Sequence, residues 1–272
     1  MQVLVTRDTM DAIAVLAREA GRAIMGVYDR GDLAVEYKSD HSPLTEADRV
    51  SHEIIMRGLA QIAPDVPVIS EEGADVEYAL RSRWKRFFLV DPLDGTKEFI
   101  GRNGEFTVNI ALVERGAPVL GVVHRPVTGA TYLAGAMLGA WRRAGDAQPE
   151  QIEVADAQFS ALRAAASRSH GSERLEAFLS LLRVSERISA GSSLKFCLVA
   201  EGRADIYPRF GPTWEWDTAA GHAIVLEAGG RVVDTGGTEE LRYNKTVLKH
   251  AGFIVASDAV LDLVRPLLVP LL

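Results

Sequence analysis

The chain reads as an α+β first half followed by an α/β second half. Two amphipathic helical patterns followed by a run of short β-branched strands dominate the first part. After the polar, proline-containing segment GDAQPEQ, residues 145–151, helix-like and strand-like stretches alternate. A length of 272 residues with 47% hydrophobic content supports a sizeable core, and the change of pattern predicts subdomains over residues 1–150 and 151–272.

Residues 10–28 place Ile13, Leu16, Ala17, Ala20, Ile24 and Val27 close to a 3.6-residue period, with Asp11 and Glu19 outside the stripe, which predicts the first helix. Residues 45–60, TEADRVSHEIIMRGLA, repeat the pattern between Pro43 and Pro64. VPVIS and FFLV are strand-like runs ending on acids, Glu71 and Asp91. Antiparallel strands are expected over residues 106–113, 119–124 and 131–134, separated by the turn signals RGAP and PVTGA. The second half offers LRAAAS, ERLEAFLSLL, SLKFCLVAEG, ADIYPR, TAAGHAIVLEAGG, RVVD, FIVAS and a C-terminal helix.

A net charge of −7, without a basic run, argues against a nucleic-acid footprint and leaves a small anion met by a few local cations as the expected partner. The single Cys197 reads as a small buried hydrophobe without a case for catalysis. The N-terminal stretch is interrupted by Arg7, Asp8 and Asp11, and no apolar run approaches the ~20 residues of a spanning helix, so the expected location is cytoplasmic.

Chemistry concentrates in DPLDGTKEFI, residues 91–100. Pro92 biases Asp91 toward extended geometry and Gly95 permits a positive φ. The chain can therefore turn so that Asp91, Asp94 and the Leu93 carbonyl face one point, an all-oxygen set suited to Mg²⁺, with the Thr96 hydroxyl beside them. A surface turn uses the same residue types. Asp217 in WDTAAG likewise suits a plain helix N-cap, and Asp48, Glu71 and Glu72 suit solvent.

The conjunction of KSDHSPLTEAD, ISEEG, DPLDGTKEF and WDTAAG, in order and spacing, resembles the Mg²⁺-dependent, lithium-sensitive phosphatases of the inositol monophosphatase superfamily. The resemblance implies a sugar-phosphatase-like αβαβα sandwich, with a mostly antiparallel first sheet and a mixed second sheet. It further implies two to three Mg²⁺ ions: Glu71, Asp91 and the Leu93 carbonyl on the first, Asp91, Asp94 and Asp217 on the second, and Glu71 with water on a weaker third. Asp48 and Thr96 match the pair that orients and deprotonates the attacking water. The implied chemistry is in-line displacement, in which paired ions neutralise phosphate oxygens and lower the pKa of water. Haloacid dehalogenase phosphatases carry D-x-D-G-T; here the spacing is D-x-x-D-G-T, and Glu71 and Asp217 would have no role.

Three stretches bear on the substrate. Lys97-Glu98 after DPLDGT, SRSHGSE at residues 167–173, and GSSLKFCLVAEGRADIYPR at residues 191–209 resemble the 3′(2′),5′-bisphosphate nucleotidase branch. That branch implies hydrolysis of adenosine 3′,5′-bisphosphate to AMP and phosphate in sulfur assimilation, with the sulfated analogue as a further substrate. The second phosphate stays bound and needs donors away from the metals. His170, Ser192, Lys195 and Arg209 can supply them beside Gly95, Thr96 and Asp217, and Gly191 opens a helix whose amide end favours an anion. Each has a plainer alternative: a loop histidine, a solvated lysine, a surface arginine. An inositol or sugar phosphatase with the same metal core is the alternative function, and a non-catalytic sensor a third. The expected state is monomer or homodimer, with peripheral contact at the inner membrane left open.

Overall fold

The structure is a computed structural model that describes residues 5–30, 35–37, 43–167 and 172–268. In chain order the first half contains α1 (Arg7–Tyr28), β1 (Glu36–Tyr37), β2 (Pro43–Leu44), α2 (Glu46–Ile62), β3 (Val68–Ser70), α3 (Tyr78–Arg81), β4 (Arg86–Asp94) and α4 (Thr96–Ile100). The strands β5 (Thr107–Glu114), β6 (Ala117–Arg125), β7 (Ala130–Gly135), β8 (Gly139–Ala144) and β9 (Glu150–Ile152) follow. The second half contains β10 (Arg163–Ala166), α5 (Glu173–Leu182), β11 (Glu186–Ser189), α6 (Leu194–Ala200), β12 (Ile206–Arg209), β13 (Thr213–Trp214) and α7 (Ala219–Glu227). It ends with β14 (Arg231–Val233), β15 (Lys249–His250), β16 (Phe253–Ala256) and α8 (Asp258–Leu268).

Strands β3 to β9 form one seven-stranded sheet in sequence order, parallel only between β3 and β4. The second sheet runs β11-β10-β12-β16-β14, with parallel pairs around β10 and antiparallel pairs around β16. Both sheets therefore match the predicted mostly antiparallel and mixed patterns.

Apolar faces stack these elements into five layers. The α1 stripe (Met10, Ile13, Ala17, Ala20, Ile24) and Ile55 and Leu59 of α2 pack with Phe88, Val90, Val108, Ile110 and Val122 of the first sheet. The other face of that sheet meets α6 and α7, which also touch the second sheet through Phe196, Cys197, Val225, Tyr207, Phe253 and Val255. Beyond the second sheet, Phe178 and Leu179 of α5 and Val260, Leu261 and Val264 of α8 close a third core with Ala164, Ile206 and Ile254. This is the expected αβαβα order. Cys197 is buried in the middle layer, and burial pushes its thiol well above the usual range, as expected for an inert side chain.

Several elements differ from the sequence reading. The strand begun by FFLV does not stop at Asp91 but keeps pairing, irregularly, to Asp94. The polar segment at residues 145–151 contains the start of β9, the last strand of the first sheet. Strands β9 and β11 carry no clear apolar alternation, because they are edge strands with mostly exposed, charged side chains, and β8, next to the β9 edge, is only half-buried. Asp217 is not the N-cap of α7; Thr218 occupies that position, and the Asp217 carboxylate accepts from Trp214 N at 3.2 Å. Among the described residues no helix is long and apolar enough to cross a membrane.

Candidate active site

Parallel pairing of β3 with β4 puts Ser70 opposite Val90, and Glu71 N donates to Val90 O at 3.1 Å. Glu71 and Asp91 thus leave adjacent strands side by side. On the other flank of β4, Asp91 pairs with Asn109 and Asp94 with Thr107: three steps along one strand match two along its partner. One extra residue in a strand is a bulge, and it reverses the normal alternation of faces. Asp91 and Asp94 consequently point to the same side. The turn is fixed by Leu93 N donating to Asp91 Oδ1 at 3.0 Å. Gly95, at φ +91°, then swings the chain into α4, a left-handed conformation that side chains disfavour.

Asp217 arrives from the turn before α7. Carboxylate oxygens of Glu71, Asp91 and Asp217 lie within 4.8 Å of one another. Asp94 lies beside them with a carboxylate held from both halves of the chain: its Oδ2 is 2.7 Å from Ser193 N, 2.8 Å from Ser193 Oγ and 3.3 Å from Asn109 Nδ2. Ser193 Oγ is also 2.7 Å from Asp217 O, and Asn109 Nδ2 donates to Ser193 Oγ at 2.8 Å.

Burial pushes the Asp91 carboxyl well above the usual range, and the charges of Glu71, Asp94, Asp217 and Asp48 push it further. Burial and the neighbouring Asp94 and Glu71 do the same to Asp217. Like charges packed this closely repel unless a cation joins them. The donor set, carboxylates with the Leu93 carbonyl nearby, is all oxygen and fits a hard divalent cation such as Mg²⁺.

Asp48 sits in the first turn of α2, buried, and completes a capping box with Thr45. Thr45 N and Oγ1 both donate to Asp48 Oδ2, at 2.7 and 2.6 Å, which fixes the rotation of the carboxylate. Its Oδ1 lies 3.5 Å from Thr96 Oγ1, and that hydroxyl is 3.4 Å from Leu93 O. The predicted water-orienting pair is therefore brought together at the edge of the carboxylate cluster. Thr45, Asn109 and Ser193 escape the sequence reading. For Thr45 the signal is present, since T-E-A-D has capping-box spacing.

Beside the acids opens a cleft of about 140 Å³, whose lining includes Asp94, Gly95, Ser192, Lys195, Arg209 and Asp217, all singled out from sequence. Ser167 also lines it, whereas His170 lies outside the described residues. Lys195 is not a solvated helix residue: it is 3% exposed, and its ammonium donates to Ser192 O at 2.6 Å and Ala190 O at 3.2 Å. Burial brings its pKa down to about 8, opposed by the nearby Asp94. Arg209 donates to Thr213 Oγ1 and to Pro212 O.

The expected anion-binding helix end is corrected. α6 begins at Leu194, not Gly191, and the amides before it already face carboxylates: Gly191 N donates to Glu105 Oε2 at 2.9 Å and Ser193 N to Asp94. A Cβ on Gly191 would come within 2.7 Å of Glu105 O, so this close approach requires glycine. Ser192, at φ +42°, aims its carbonyl at Lys195 while its hydroxyl meets Thr107 Oγ1 at 3.1 Å. Trp214 and Trp216 stack on each other with centroids 4.8 Å apart, in keeping with packing.

A layered αβαβα fold with a convergent carboxylate cluster at strand ends defines a class, and the comparisons agree with it. Residues 6–267 match the inositol monophosphatase family, and the chain belongs to that family. Within it, the chain is 52% identical over 227 residues to the 3′(2′),5′-bisphosphate nucleotidase CysQ of Salmonella typhimurium, spanning 83% of this chain and 90% of that protein. It is 34% identical over 256 residues to CysQ of Haemophilus influenzae, spanning 93% and 94%. Among solved structures, CysQ from Bacteroides thetaiotaomicron superposes with a TM-score of 0.80 at 45% identity, covering 91% of this chain and 97% of that one. An IMPase of Thermotoga maritima superposes with a TM-score of 0.79 at 28% identity, covering 97% and 98%.

Proposed function

We propose that this chain is a Mg²⁺-dependent 3′(2′),5′-bisphosphate nucleotidase. It removes the 3′-phosphate of adenosine 3′,5′-bisphosphate, giving AMP and phosphate, and accepts the sulfated analogue as well. The observation that carries this reading is one cleft lined both by the acids Asp94 and Asp217 and by the cations Lys195 and Arg209. A monoester with a single phosphate needs only the acids and the ions they would hold. A second phosphate, retained through the reaction, gives the two basic side chains their purpose.

Glu71, Asp91 and the Leu93 carbonyl would hold one Mg²⁺, Asp91, Asp94 and Asp217 a second, and Glu71 a weaker third. When bound, such ions neutralise phosphate oxygens, acidify water and stabilise the leaving alkoxide. Asp48, its Oδ2 fixed by Thr45, accepts the proton of the attacking water on Oδ1, and Thr96 helps to aim that water. The new P–O bond forms as the bond to the 3′-oxygen breaks, and that oxygen takes a proton from solvent. Gly95, Thr96, Ser192, Lys195, Arg209 and Asp217 would bind the nucleotide, and His170, which lies outside the described residues, is assigned the same role from the sequence alone. In this reading residues 1–150 form the metal-binding subdomain, and residues 151–272 complete the site and bind the nucleotide. The enzyme acts in the cytoplasm as a monomer or homodimer, clearing the by-product of sulfate activation.

The likeness to the Thermotoga IMPase keeps an inositol or sugar phosphatase as the second reading. Phosphate release from adenosine 3′,5′-bisphosphate, inositol 1-phosphate and fructose 1,6-bisphosphate, compared side by side with Mg²⁺ and with lithium as inhibitor, separates the two. The nucleotide should be preferred; equal or better turnover of inositol 1-phosphate overturns the assignment. Arg209→Ala should weaken nucleotide turnover and spare the small sugar phosphates.

A further inference from the structure

Two carboxylates of the cluster come from loops far apart in sequence: Glu71 opens the segment after β3, and Asp217 closes the turn between β13 and α7. Both loops are fastened to the same short segment, residues 244–246. On the Glu71 side the fastener is Arg81, 4% exposed. Its Nε donates to Val76 O at 3.2 Å, gripping the loop that Glu71 begins. Its two terminal nitrogens donate to Asn244 Oδ1 (2.8 Å), Lys245 O (2.7 Å) and Thr246 O (2.8 Å), and Asn244 Nδ2 returns a bond to Arg81 O at 2.7 Å.

On the Asp217 side the fastener is Glu215, fully buried. Its Oε2 accepts from Asn244 N at 2.6 Å; its Oε1 accepts from Lys245 N at 3.2 Å and faces Lys245 Nζ at 2.8 Å. Its own carbonyl accepts from Thr218 N and Ala219 N, so the residue that grips residues 244–245 also starts the turn that presents Asp217. Asn244 stands between the two loops in a left-handed conformation, φ +70°, and serves one with its amide N–H and the other with its carboxamide. A buried arginine whose terminal nitrogens, and a buried carboxylate whose two oxygens, are directed at one segment do more than fill a core, where apolar residues would serve as well.

We infer that Arg81 and Glu215 are positioning residues that clamp the Glu71 and Asp217 loops to residues 244–246 and thereby set the spacing of the cation-binding carboxylates. The inference rests on the Mg²⁺ reading above. Neither residue touches substrate; each acts through the geometry of the acids, as outer partners of metal ligands do.

The test is calorimetric titration of the full chain with Mg²⁺, without substrate, comparing the unmodified protein with Glu215→Gln and Arg81→Lys. Glutamine keeps the shape but turns an amide toward N–H donors; lysine keeps the charge but not the planar fork. Each variant should retain its circular-dichroism spectrum and bind Mg²⁺ roughly 10- to 100-fold more weakly. Because the two act on one shared segment, the double variant should lose less than the sum of the single effects. Their deficit in turnover should narrow as Mg²⁺ is raised, which a general packing defect would not produce. If either variant fails to fold, Asn244→Gly removes the carboxamide while suiting the left-handed backbone, and the same criterion applies. Unchanged Mg²⁺ affinity in folded variants overturns the positioning role alone, and absence of Mg²⁺ binding by the unmodified protein overturns the metal reading together with it.

Discussion

Replacing Lys195 with methionine should make the protein more stable and a poorer enzyme at neutral pH. Keeping an ammonium charged when burial has brought its pKa from 10.5 to about 8 costs the fold about 3 kcal/mol, at roughly 1.4 kcal/mol per tenfold step. Methionine removes that cost but leaves the Ala190 and Ser192 carbonyls without their donor, a loss of about 1 kcal/mol each. The net expectation is a gain of about 1 kcal/mol near neutral pH. The folded lysine releases its proton near 8 and the unfolded one near 10.5, so between those values the unfolded chain holds more protons and the unmodified protein gains stability as pH rises. The advantage of Lys195→Met should therefore shrink by about 2 kcal/mol from about pH 7 to about pH 9.5 and change sign. Urea denaturation of both proteins across that range measures it. Over the same range KM for the nucleotide should rise in the unmodified protein as the ammonium is lost. In the variant, KM should be raised roughly 10- to 100-fold throughout, the worth of one charge-assisted bond to phosphate. A stability difference that does not vary with pH would refute the burial argument.

Asp91→Asn should reduce Mg²⁺-dependent turnover by at least ~10³-fold and raise the melting temperature of the metal-free protein, because it removes a carboxylate repelled by Glu71, Asp94 and Asp217; unchanged turnover would end the metal-site reading. Asp91 and Asp217 have folded pKa values raised above their unfolded ones, so the stability tied to their protonated forms is present at acid pH and lost as pH climbs through the raised values. Melting in EDTA should accordingly fall with rising pH, and Mg²⁺ should reverse the fall. Thr45→Val frees Asp48 Oδ2 from a hydroxyl at 2.6 Å and should lower kcat roughly tenfold with KM little changed, whereas Asp48→Asn should lower it roughly 10²- to 10³-fold. Gly95→Ala should destabilise by about 1 kcal/mol or more, since φ is +91° and the new Cβ would lie 3.3 Å from Glu105 O, Glu98 Oε2 and Ser192 Cβ; thermal melting reads it directly.

Legibility followed the range of the interaction. Helices α1 and α2 declare themselves by a periodic apolar stripe, and strands β4 to β7 by short apolar runs, because the first sheet is buried on both faces. The turn Asp91-Pro92-Leu93-Asp94-Gly95 is local chemistry, and the positive φ that Gly95 permits is present, although the strand outlasts Asp91. Glu71 and Asp217 are bland one at a time and gain meaning only as a set. Ser193, Asn109 and Thr107 could not be read at all: the bonds that join Asp94 to Ser193 span 99 positions, and neighbouring serines look alike until the fold chooses one. The same limit explains the helix assigned to begin at Gly191. Nothing local reveals that Glu105 and Asp94 will claim those amides. For Lys195 the sequence left two readings open, a phosphate donor or a solvated lysine, because its carbonyl partners are not displayed by composition.

The extra residue between Asp91 and Asp94 makes this site a matter of counting. Sides of a strand follow odd and even positions, and the bulge converts an odd interval into an even one. A D-x-D in a regular strand would also point both carboxylates to one side, so the extra residue changes not their side but the backbone between them: it lets the Leu93 amide turn back onto Asp91 and leaves the Leu93 carbonyl beside the Thr96 hydroxyl. Deleting Pro92 or Leu93 would keep both acids and lose that turn.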